Sequence, residues 1–346
     1  MKRLLEIRRC INSVILAIVA LVWAVVLNGC SMIYEEEGDC YVRYKVEFRF
    51  TNNIMETDAF ASKVESVNLL VYDKGGRLVT SKTESGNALK TEHYQMEIDV
   101  EPGVYDLVAW CGLEGSNAFT LTGGAAPATI GDAICVMSRE SDDEKAYSKK
   151  QLSPLFHAMD VDVNFPGGNA YGDVVVSVMD LIKDTNTIRI VLTHYNGTEI
   201  NPDDFTFTIE DNNGKMYYDN TLMDDEIITY REWTKRDMPT VETDGREISS
   251  VSSMIAEIDV ARLMTTHNPR LTIQARDHAE PVLSLPITQL LLYAKGEAKS
   301  AMSDQRYLDC QDEYNLVFFL TDQDGWYMNA GIYINGWHLM LQGADI

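Results

Sequence analysis

A cysteine at position 30 has surroundings that specify a known modification chemistry. It follows Leu27, Asn28 and Gly29, at the end of an apolar stretch from Val14 to Leu27 with basic residues ahead of it. A basic flank and a short apolar core are typical of a cleaved signal peptide, since a membrane-spanning helix needs about 20 apolar residues. The spacing resembles a bacterial lipobox, in which the thiol of Cys30 receives diacylglycerol and the chain is cut between Gly29 and Cys30. An uncleaved anchor with an incidental cysteine is the alternative.

Cleavage at this site would remove residues 1–29 as a signal peptide and leave residues 30–39 as a tether. The removed segment carries four basic side chains and one acidic side chain, so the remaining 317 residues would have a net charge of −27 instead of −24. Several acyl chains on Cys30 would hold the protein on the outer membrane. The acidic run Glu35–Glu37 resembles a surface-export signal of Bacteroidales lipoproteins, with a solvated tether as the alternative.

Four cysteines besides Cys30 would remain after cleavage, at positions 40, 111, 135 and 310. They allow three complete pairings, and disulfides form readily outside the inner membrane. Cys40 opens the first predicted strand and Cys111 closes another, so we predict a Cys40–Cys111 bridge. Four buried thiols acting as small apolar residues are the alternative. No Cys-x-x-Cys pair occurs in the sequence, which leaves a zinc site unsupported.

The other residue types give little support for catalysis or for metal binding. The six histidines are scattered, and none forms a ligand-like doublet. Acidic residues at 142–144 and 322–324 lack the spacing of a calcium loop, so we interpret them as a solvated loop and a hairpin turn. Neither a nucleophile elbow nor a phosphate-binding or dinucleotide-binding loop occurs. We therefore predict a protein that is not an enzyme and that needs neither a cofactor nor a metal.

Composition limits the class of protein further. The chain has 346 residues, which suggests about two domains, and its 45% hydrophobic content is enough for an ordinary core. It carries 53 acidic residues against 29 basic ones. This balance argues against nucleic acid as a partner, because phosphate binding needs clustered lysines and arginines.

Apolar and polar residues alternate along most of the first half. In residues 42–50 the apolar members share one face, which predicts a half-buried antiparallel strand. Residues 67–81 predict a hairpin that turns at Lys74–Gly76. Residues 94–100 alternate as well, and we predict that the strand of residues 104–112, which follows the Pro-Gly turn, is their partner.

The second half of the chain shows the same alternation of apolar and polar residues. Residues 204–220 predict another hairpin around an Asn-Asn-Gly turn. Residues 285–302 contain the predicted main helix, with Leu290, Leu291 and Tyr293 partly buried. Pro166–Asn169 is the best candidate boundary, so we predict an N-terminal domain at residues 40–165 and a C-terminal domain at residues 166–346. Many short strands with frequent turns predict an all-β fold of two tandem β-sandwiches.

Several segments, taken in their order, resemble the fimbrial anchor lipoproteins of the Bacteroidales, the family of the major-fimbrium and minor-fimbrium anchoring subunits. One specific core of this resemblance consists of Asn53, Met55, Asp58, Ala59 and Phe60. The other segments are PGVYDLVAWCG, DLIKDTNTIRIVL, FTFTIEDNNGKMYYDN, ARLM with NPRLTI, YLDCQDEYNLVFFL and INGWHL. Together they cover essentially the whole chain after the signal peptide.

The resemblance implies two transthyretin-like β-sandwich domains in a type V pilus system, whose subunits join by donor-strand exchange. This is β-strand addition, in which main-chain hydrogen bonds supply the affinity. The implied partner is a fimbrial stalk subunit, and the implied role is to anchor the pilus to the outer membrane and end its assembly. Stalk subunits lose their first strand to an arginine-specific protease. Arg43 and Arg49 lie in the first strand here, but its alternation predicts a strand that stays paired.

Two other functions stay open at this point. A fimbrial tip or surface adhesin would bind glycan or host protein, and Trp326, Tyr327 and Trp337 are the aromatic residues most expected on its surface. A secreted enzyme, or a scaffold for polysaccharide uptake, would instead need convergent polar residues in a concave pocket.

Overall fold

The computed structural model describes residues 42–143, 145–167, 174–194, 199–238, 252–296, 299–320 and 332–339. Within these ranges most of the regular structure is β-strand, which confirms the predicted all-β fold. The described helices are short: α1 (Phe60–Lys63), α2 (Ile287–Tyr293) and α3 (Asp304–Cys310). No described helix is long and apolar enough to cross a membrane.

Two sheets pack face to face to form the N-terminal sandwich. Sheet I contains, in spatial order, β11 (Val174–Asp180), β1 (Arg43–Arg49) and β4 (Gln95–Ile98). Sheet II contains, in spatial order, β12 (Ile182–Lys183), β10 (Phe156–Phe165), β5 (Gly103–Cys111), β2 (Ser66–Tyr72) and β3 (Leu78–Ser85). The two sheets meet through apolar side chains, such as the rings of Phe50 and Phe156, whose centroids are 5.1 Å apart.

A small third sheet covers the outer face of sheet II. Sheet III contains, in spatial order, β15 (Lys215–Met216), β7 (Cys135–Met137) and β6 (Phe119–Leu121). Tyr72 and Trp110 project from the outer face of sheet II and are buried in one cluster with Phe119 and Cys135. Sheet II is therefore covered on both faces, which explains why every residue of β2 is buried.

Two six-stranded sheets form the C-terminal sandwich. Sheet IV contains, in spatial order, β20 (Leu283–Pro286), β19 (Arg270–Ala275), β14 (Phe205–Asp211), β16 (Ile228–Arg231), β9 (Lys145–Ser148) and β8 (Glu140–Asp142). Sheet V contains, in spatial order, β17 (Thr234–Met238), β18 (Ser253–Ala261), β13 (Thr185–His194), β21 (Glu313–Leu320), β22 (Ile332–Ile334) and β23 (Trp337–Leu339). Ile188 and Ile190 of sheet V and Phe207 and Ile209 of sheet IV are fully buried in the core.

Two local predictions of the first half are confirmed. The alternating apolar residues around β1 are at most 9% exposed, from Val42 to Phe50. The hairpin of β2 and β3 turns where predicted, because one carboxylate oxygen of Asp73 accepts hydrogen bonds from the N–H groups of Gly75 and Arg77, at 2.8 and 3.0 Å. Gly76 takes a φ of 71°, which glycine adopts without steric cost.

Two predicted strand pairings are wrong. β4 pairs with β1, whereas β5 pairs with β2 and β10, so the Pro-Gly turn between β4 and β5 carries the chain from sheet I to sheet II. β14 pairs with β16 and β19, while β15 pairs with β7. The turn after β14 leaves its sheet because the side-chain amide of Asn213 donates to the carbonyls of Ala261 and Arg262, at 3.1 and 3.0 Å.

The predicted main helix, α2, lies within residues 285–302 as expected. α2 ends at Tyr293, whose side chain is 62% exposed rather than partly buried. A second helix, α3, begins after Ser303, whose hydroxyl accepts from the N–H of Arg306 at 3.2 Å and caps its first turn.

Strands from both sides of the predicted domain boundary pair with one another. β11 and β12 follow residue 166 but lie in sheets I and II, and β8 and β9 precede it but lie in sheet IV. The described residues from Arg43 onward belong to one compact unit. The division at residue 166 and the transthyretin-like topology stay predictions.

Candidate subunit interface

The residues predicted for lipidation and cleavage, Gly29 and Cys30, lie outside the described residues, as does Cys40. Cys111 closes β5, is buried and is bonded to no other described cysteine. Burial raises the pKa of its thiol. The Cys40–Cys111 bridge stays a prediction. Trp326, Tyr327 and the side chain of Trp337 also lie outside the described part of the chain.

The first strand, β1, lies in the middle of sheet I. It pairs in parallel with β11, with Arg43 opposite Val174, and antiparallel with β4. The strand carrying Arg43 and Arg49 is therefore paired on both sides, and its retention stays a prediction. The Nε of Arg49 donates to Glu47 at 2.8 Å. Burial opposes ionisation of Glu47, but hydrogen bonds from Arg49, Gln95 and His93 outweigh it and lower the pKa of this carboxyl.

The outer edge of β11 carries no strand within the described residues. Three of its side chains, those of Val174, Val176 and Val178, point away from the sandwich and are 42%, 39% and 40% exposed. Met179 is buried and ties the strand to the core. An exposed β-branched row without lysine or proline lacks the devices by which proteins prevent another strand from adding to an edge.

The neighbouring edge of β10 is protected. β12 pairs with it only at Phe156 and His157. Further along, a bulge falls between Asp160 and Val163, and Asp162 has a φ of 58°. Bulges and charged side chains are two ways to blunt a sheet edge. Burial, followed by the nearby carboxylate of Asp180, raises the pKa of Asp160.

The other longer edge strands of the described sheets carry charges or proline. β3 contains the exposed Lys82, and β20 ends with Pro286. β17 carries Lys235, Arg236 and Asp237 in succession. β11 differs because its first six residues, Val174–Met179, are uncharged. The run of valines in β11 is typical of a strand, but only the order of strands in sheet I shows that its outer edge is open.

A second feature with binding potential is a cleft of about 930 Å³ between the outer face of sheet II and β6. Its polar lining includes Ser66, Asn68, Thr83, Glu84 and Glu114. The side chain of Asn68 is already engaged, since it donates to the carbonyl of Ala125 and accepts from the hydroxyl of Thr83, both at 3.0 Å. The two carboxylates can accept hydrogen bonds from a ligand rich in hydroxyl groups. No group of three or more metal-ligating side chains occurs within the described ranges.

Residues 36–343 match the family described as fimbrillin-A associated anchor proteins Mfa1 and Mfa2. The chain belongs to this family. The predicted resemblance to fimbrial anchor proteins is thereby confirmed. Members of the fimbrillin-A associated anchor family are structural proteins of fimbriae, so this chain is a fimbrial accessory subunit that works at the cell surface together with other fimbrial subunits.

Solved structures share the fold of this chain. A candidate polysaccharide-binding protein of Bacteroides thetaiotaomicron is 26% identical, with a TM-score of 0.73, over 87% of this chain and 99% of that one. The fimbrial anchor protein Mfa2 from Porphyromonas gingivalis is 16% identical, with a TM-score of 0.62, over 87% of this chain and 99% of that one, and shows the fold alone. A candidate adhesin from Bacteroides ovatus, at 24% identity, has a TM-score of 0.71 over 91% and 99% of the two chains. No curated protein matches this chain.

Proposed function

We propose that this subunit anchors a fimbrium to the outer membrane and ends its assembly. Acyl chains on Cys30 hold it in the bilayer, and the fimbrial stalk subunit binds by adding a strand to the outer edge of β11. The observation that carries this proposal is the outer edge of β11, whose first six residues are uncharged and which no described strand covers, beside a first strand, β1, that is paired on both sides.

Strand addition fits the chemistry of this edge. An added strand would pair its main-chain groups with those of β11, and its alternate side chains would cover the exposed valines. A subunit that accepts a strand at β11 while keeping β1 in its own sheet opens no second groove in which a further subunit could insert a strand. Such a subunit stops the polymer, which is why we assign it the terminal position at the cell surface.

The lipid anchor is tested by changing the acylated residue. We expect Cys30→Ala to release fimbriae into the medium, because the removed thiol is the acceptor of the lipid. Cys10→Ala is a matched control, since that cysteine lies in the predicted signal peptide and is lost on cleavage. The readouts are the fimbriae retained by cells and the protein found in the membrane fraction. Attached fimbriae and membrane-bound protein in the Cys30→Ala strain would contradict the proposal.

A surface adhesin for glycans is a second candidate, favoured by the polar cleft beside β6 and by the relative described as a candidate polysaccharide-binding protein. Immunogold labelling separates the two functions, because an anchor lies at the base of the fimbrium and a tip adhesin lies at its end. If the cleft binds glycan, Ser85→Trp should fill it and abolish binding of oligosaccharides to the purified protein. Val176→Lys, on the distant edge of β11, is the matched control.

A further inference from the structure

A buried polar cluster lies where the chain leaves the N-terminal sandwich for the C-terminal one. Asp184 connects β12 to β13 and is fully buried, with its N–H donating to the carbonyl of Leu155 at 2.8 Å. Around it lie Asn220, in the turn after β15, Arg262, just after β18, and Asp309, in α3. These residues come from separate elements, so their contacts tie sheets of both sandwiches together.

Arg262 directs its hydrogen bonds to one carboxylate and to one main-chain carbonyl. The Nη2 of Arg262 lies 3.0 and 3.1 Å from the two carboxylate oxygens of Asp309, and its Nε donates to the nearer oxygen at 3.1 Å. Its Nη1 donates to the main-chain carbonyl of Asn220. Gln305 adds a hydrogen bond to Asp309 at 2.9 Å. Arg262 and Asp309 therefore form a neutral pair with a satisfied geometry.

Asp184 has no comparable cation. Its Oδ1 lies 3.6 Å from the Nε of Arg262, which is too long for a hydrogen bond. The same Oδ1 accepts from the side-chain Nδ2 of Asn220 at 2.8 Å. The other oxygen of Asp184, Oδ2, and the side-chain Oδ1 of Asn220 are buried and have no hydrogen-bond partner. Each of the two hydrogen-bonded side chains therefore keeps one buried oxygen acceptor without a partner.

We propose that Asp184 is protonated in the folded protein and forms a cyclic acid–amide pair with Asn220, which makes the junction between the two sandwiches weaken as the pH rises. In this pair Asn220 donates through Nδ2 to Oδ1 of Asp184, and the protonated Oδ2 of Asp184 donates back to Oδ1 of Asn220. The proton removes an uncompensated negative charge from the interior, where such a charge is costly. Burial raises the pKa of Asp184 to about 7, with Arg262 and Asn220 partly opposing this.

The groups that face the cluster from other elements do not supply a second cation. They are Cys111 on β5, Cys135 on β7, His157 on β10, Lys183 on β12 and Asp219 in the turn before Asn220. Burial raises the pKa of both thiols, which keeps them neutral. Burial lowers the pKa of His157 to about 4, so its ring is neutral above that pH. The ammonium of Lys183 is paired with the carboxylate of Asp312, at 3.5 Å.

The direction of the pH effect follows from the raised pKa of Asp184. The side chain of Asp184 ionises near pH 4 in the unfolded chain and near pH 7 in the folded one. Its contribution to the free energy of unfolding is therefore fully present below pH 4. That contribution is lost as the pH rises to 7. Between pH 5 and pH 7 this one group should lower the folding equilibrium constant roughly 50-fold. His157 changes stability in the opposite direction over the acid part of this range, so comparison with a variant is needed.

Two isosteric variants, Asp184→Asn and Asp309→Asn, test the proposal in urea unfolding of the purified protein at pH 5, 6, 7 and 8. An asparagine at position 184 keeps both hydrogen bonds to Asn220. We therefore expect the folding equilibrium constant of Asp184→Asn, divided by that of wild type, to rise roughly 50-fold from pH 5 to pH 7. Asp309→Asn should lose stability relative to wild type, and the loss should be about the same at every pH, because this variant removes the ionised partner of Arg262.

Parallel pH profiles for wild type and Asp184→Asn would overturn the proposal. So would a loss of stability in Asp184→Asn at pH 8 as large as that in Asp309→Asn, since Asp184 would then act as an ionised partner of Arg262. If either variant fails to fold, carboxyl NMR of the wild-type protein labelled at aspartate decides the question. We expect one buried aspartate resonance to titrate near pH 7, and the absence of any such resonance would refute the pair.

Discussion

The two sandwiches are built around the same strand arrangement but differ at one edge. In the N-terminal sandwich β1 pairs in parallel with β11 and antiparallel with β4. In the C-terminal sandwich β13 pairs in parallel with β21 and antiparallel with β18. β21 is then covered by β22 and β23, whereas β11 has no strand on its outer edge within the described residues. The parallel neighbour is thus covered in one sandwich and exposed in the other.

A few residues account for the covered edge. The N–H of Asn335 donates to the carbonyl of Asn315 at 2.9 Å, and the side chain of Asn335 accepts from the N–H of Asn315 at 2.8 Å. Asn335 and Gly336 have φ values of 49° and 84°, which suit the tight turn that joins β22 to β23. Ile334 is fully buried beside β21. Whether an edge strand is available for binding therefore depends on such short covering segments rather than on the paired strands.

The largest expected effect comes from damaging the cover of β21. Ile334→Ala should lower the free energy of unfolding by about 2–5 kcal/mol, because it removes a fully buried side chain from the sheet edge. Val176→Ala is the matched change on β11 and should cost less than about 1 kcal/mol, since that side chain is already 39% exposed. Urea unfolding measures both. Equal losses of unfolding free energy in the two variants would contradict the proposed difference between a covered edge and an open edge.

The next effect concerns the part of β10 that β12 covers. His157 is buried there beside Trp110, with ring centroids 4.5 Å apart, and burial lowers its pKa to about 4. The unfolded chain takes up the proton near pH 6.5, so stability falls as the pH drops from 6.5 towards 4. Between pH 7 and pH 5 this should cost about 2 kcal/mol.

The acid effect is measured as the difference in unfolding free energy between wild type and His157→Gln at the two pH values. The background variant Asp184→Asn removes the opposing titration of that aspartate. The exposed His278→Gln serves as the control for a histidine outside the core. If the difference in unfolding free energy between wild type and His157→Gln is the same at pH 7 and pH 5, His157 does not titrate in this way.

The smallest effect on the protein itself is expected from a charge on the open edge. Val176→Lys should change the unfolding free energy by less than about 0.5 kcal/mol, because its side chain points into solvent. It should nevertheless reduce recovery of the fimbrial subunit with this protein at least about tenfold, since an edge lysine disfavours strand addition. Met238→Lys, on the charged edge strand β17, is the matched control. Equal recovery with both variants would argue against binding at β11.

The sequence predicts local features of this fold better than it predicts strand partners. Alternation around β1 identifies the buried face because side chains of a strand alternate with a period of two. It cannot identify β11 as the neighbour, since Val174 lies far along the chain from Arg43. The turn at Asp73 was predictable because its hydrogen bonds are local. The turn at Asn213 was mispredicted because its amide binds carbonyls of a distant strand.

The candidate sites likewise divide into one that neighbouring residues predict and two that depend on residues far apart in the sequence. The modification of Cys30 is predicted from neighbouring residues alone, and it stays a prediction because the described residues begin at position 42. The open edge of β11 depends on the order of strands in sheet I, which no local pattern encodes. The pairing of Asp184 with Asn220 is also nonlocal. In the sequence both residues look like ordinary polar residues of exposed loops.

Hydrogen exchange along β11 shows whether the fimbrial subunit adds a strand at this edge. The protein copurified with its fimbrial subunit is compared with the same protein from cells that lack fimbrial subunits. Strand addition predicts slower exchange of the amides of Val174–Asp180 in the complex, with no change in the charged edge strand β17. Unchanged exchange in β11, with protection confined to other strands, would contradict the account.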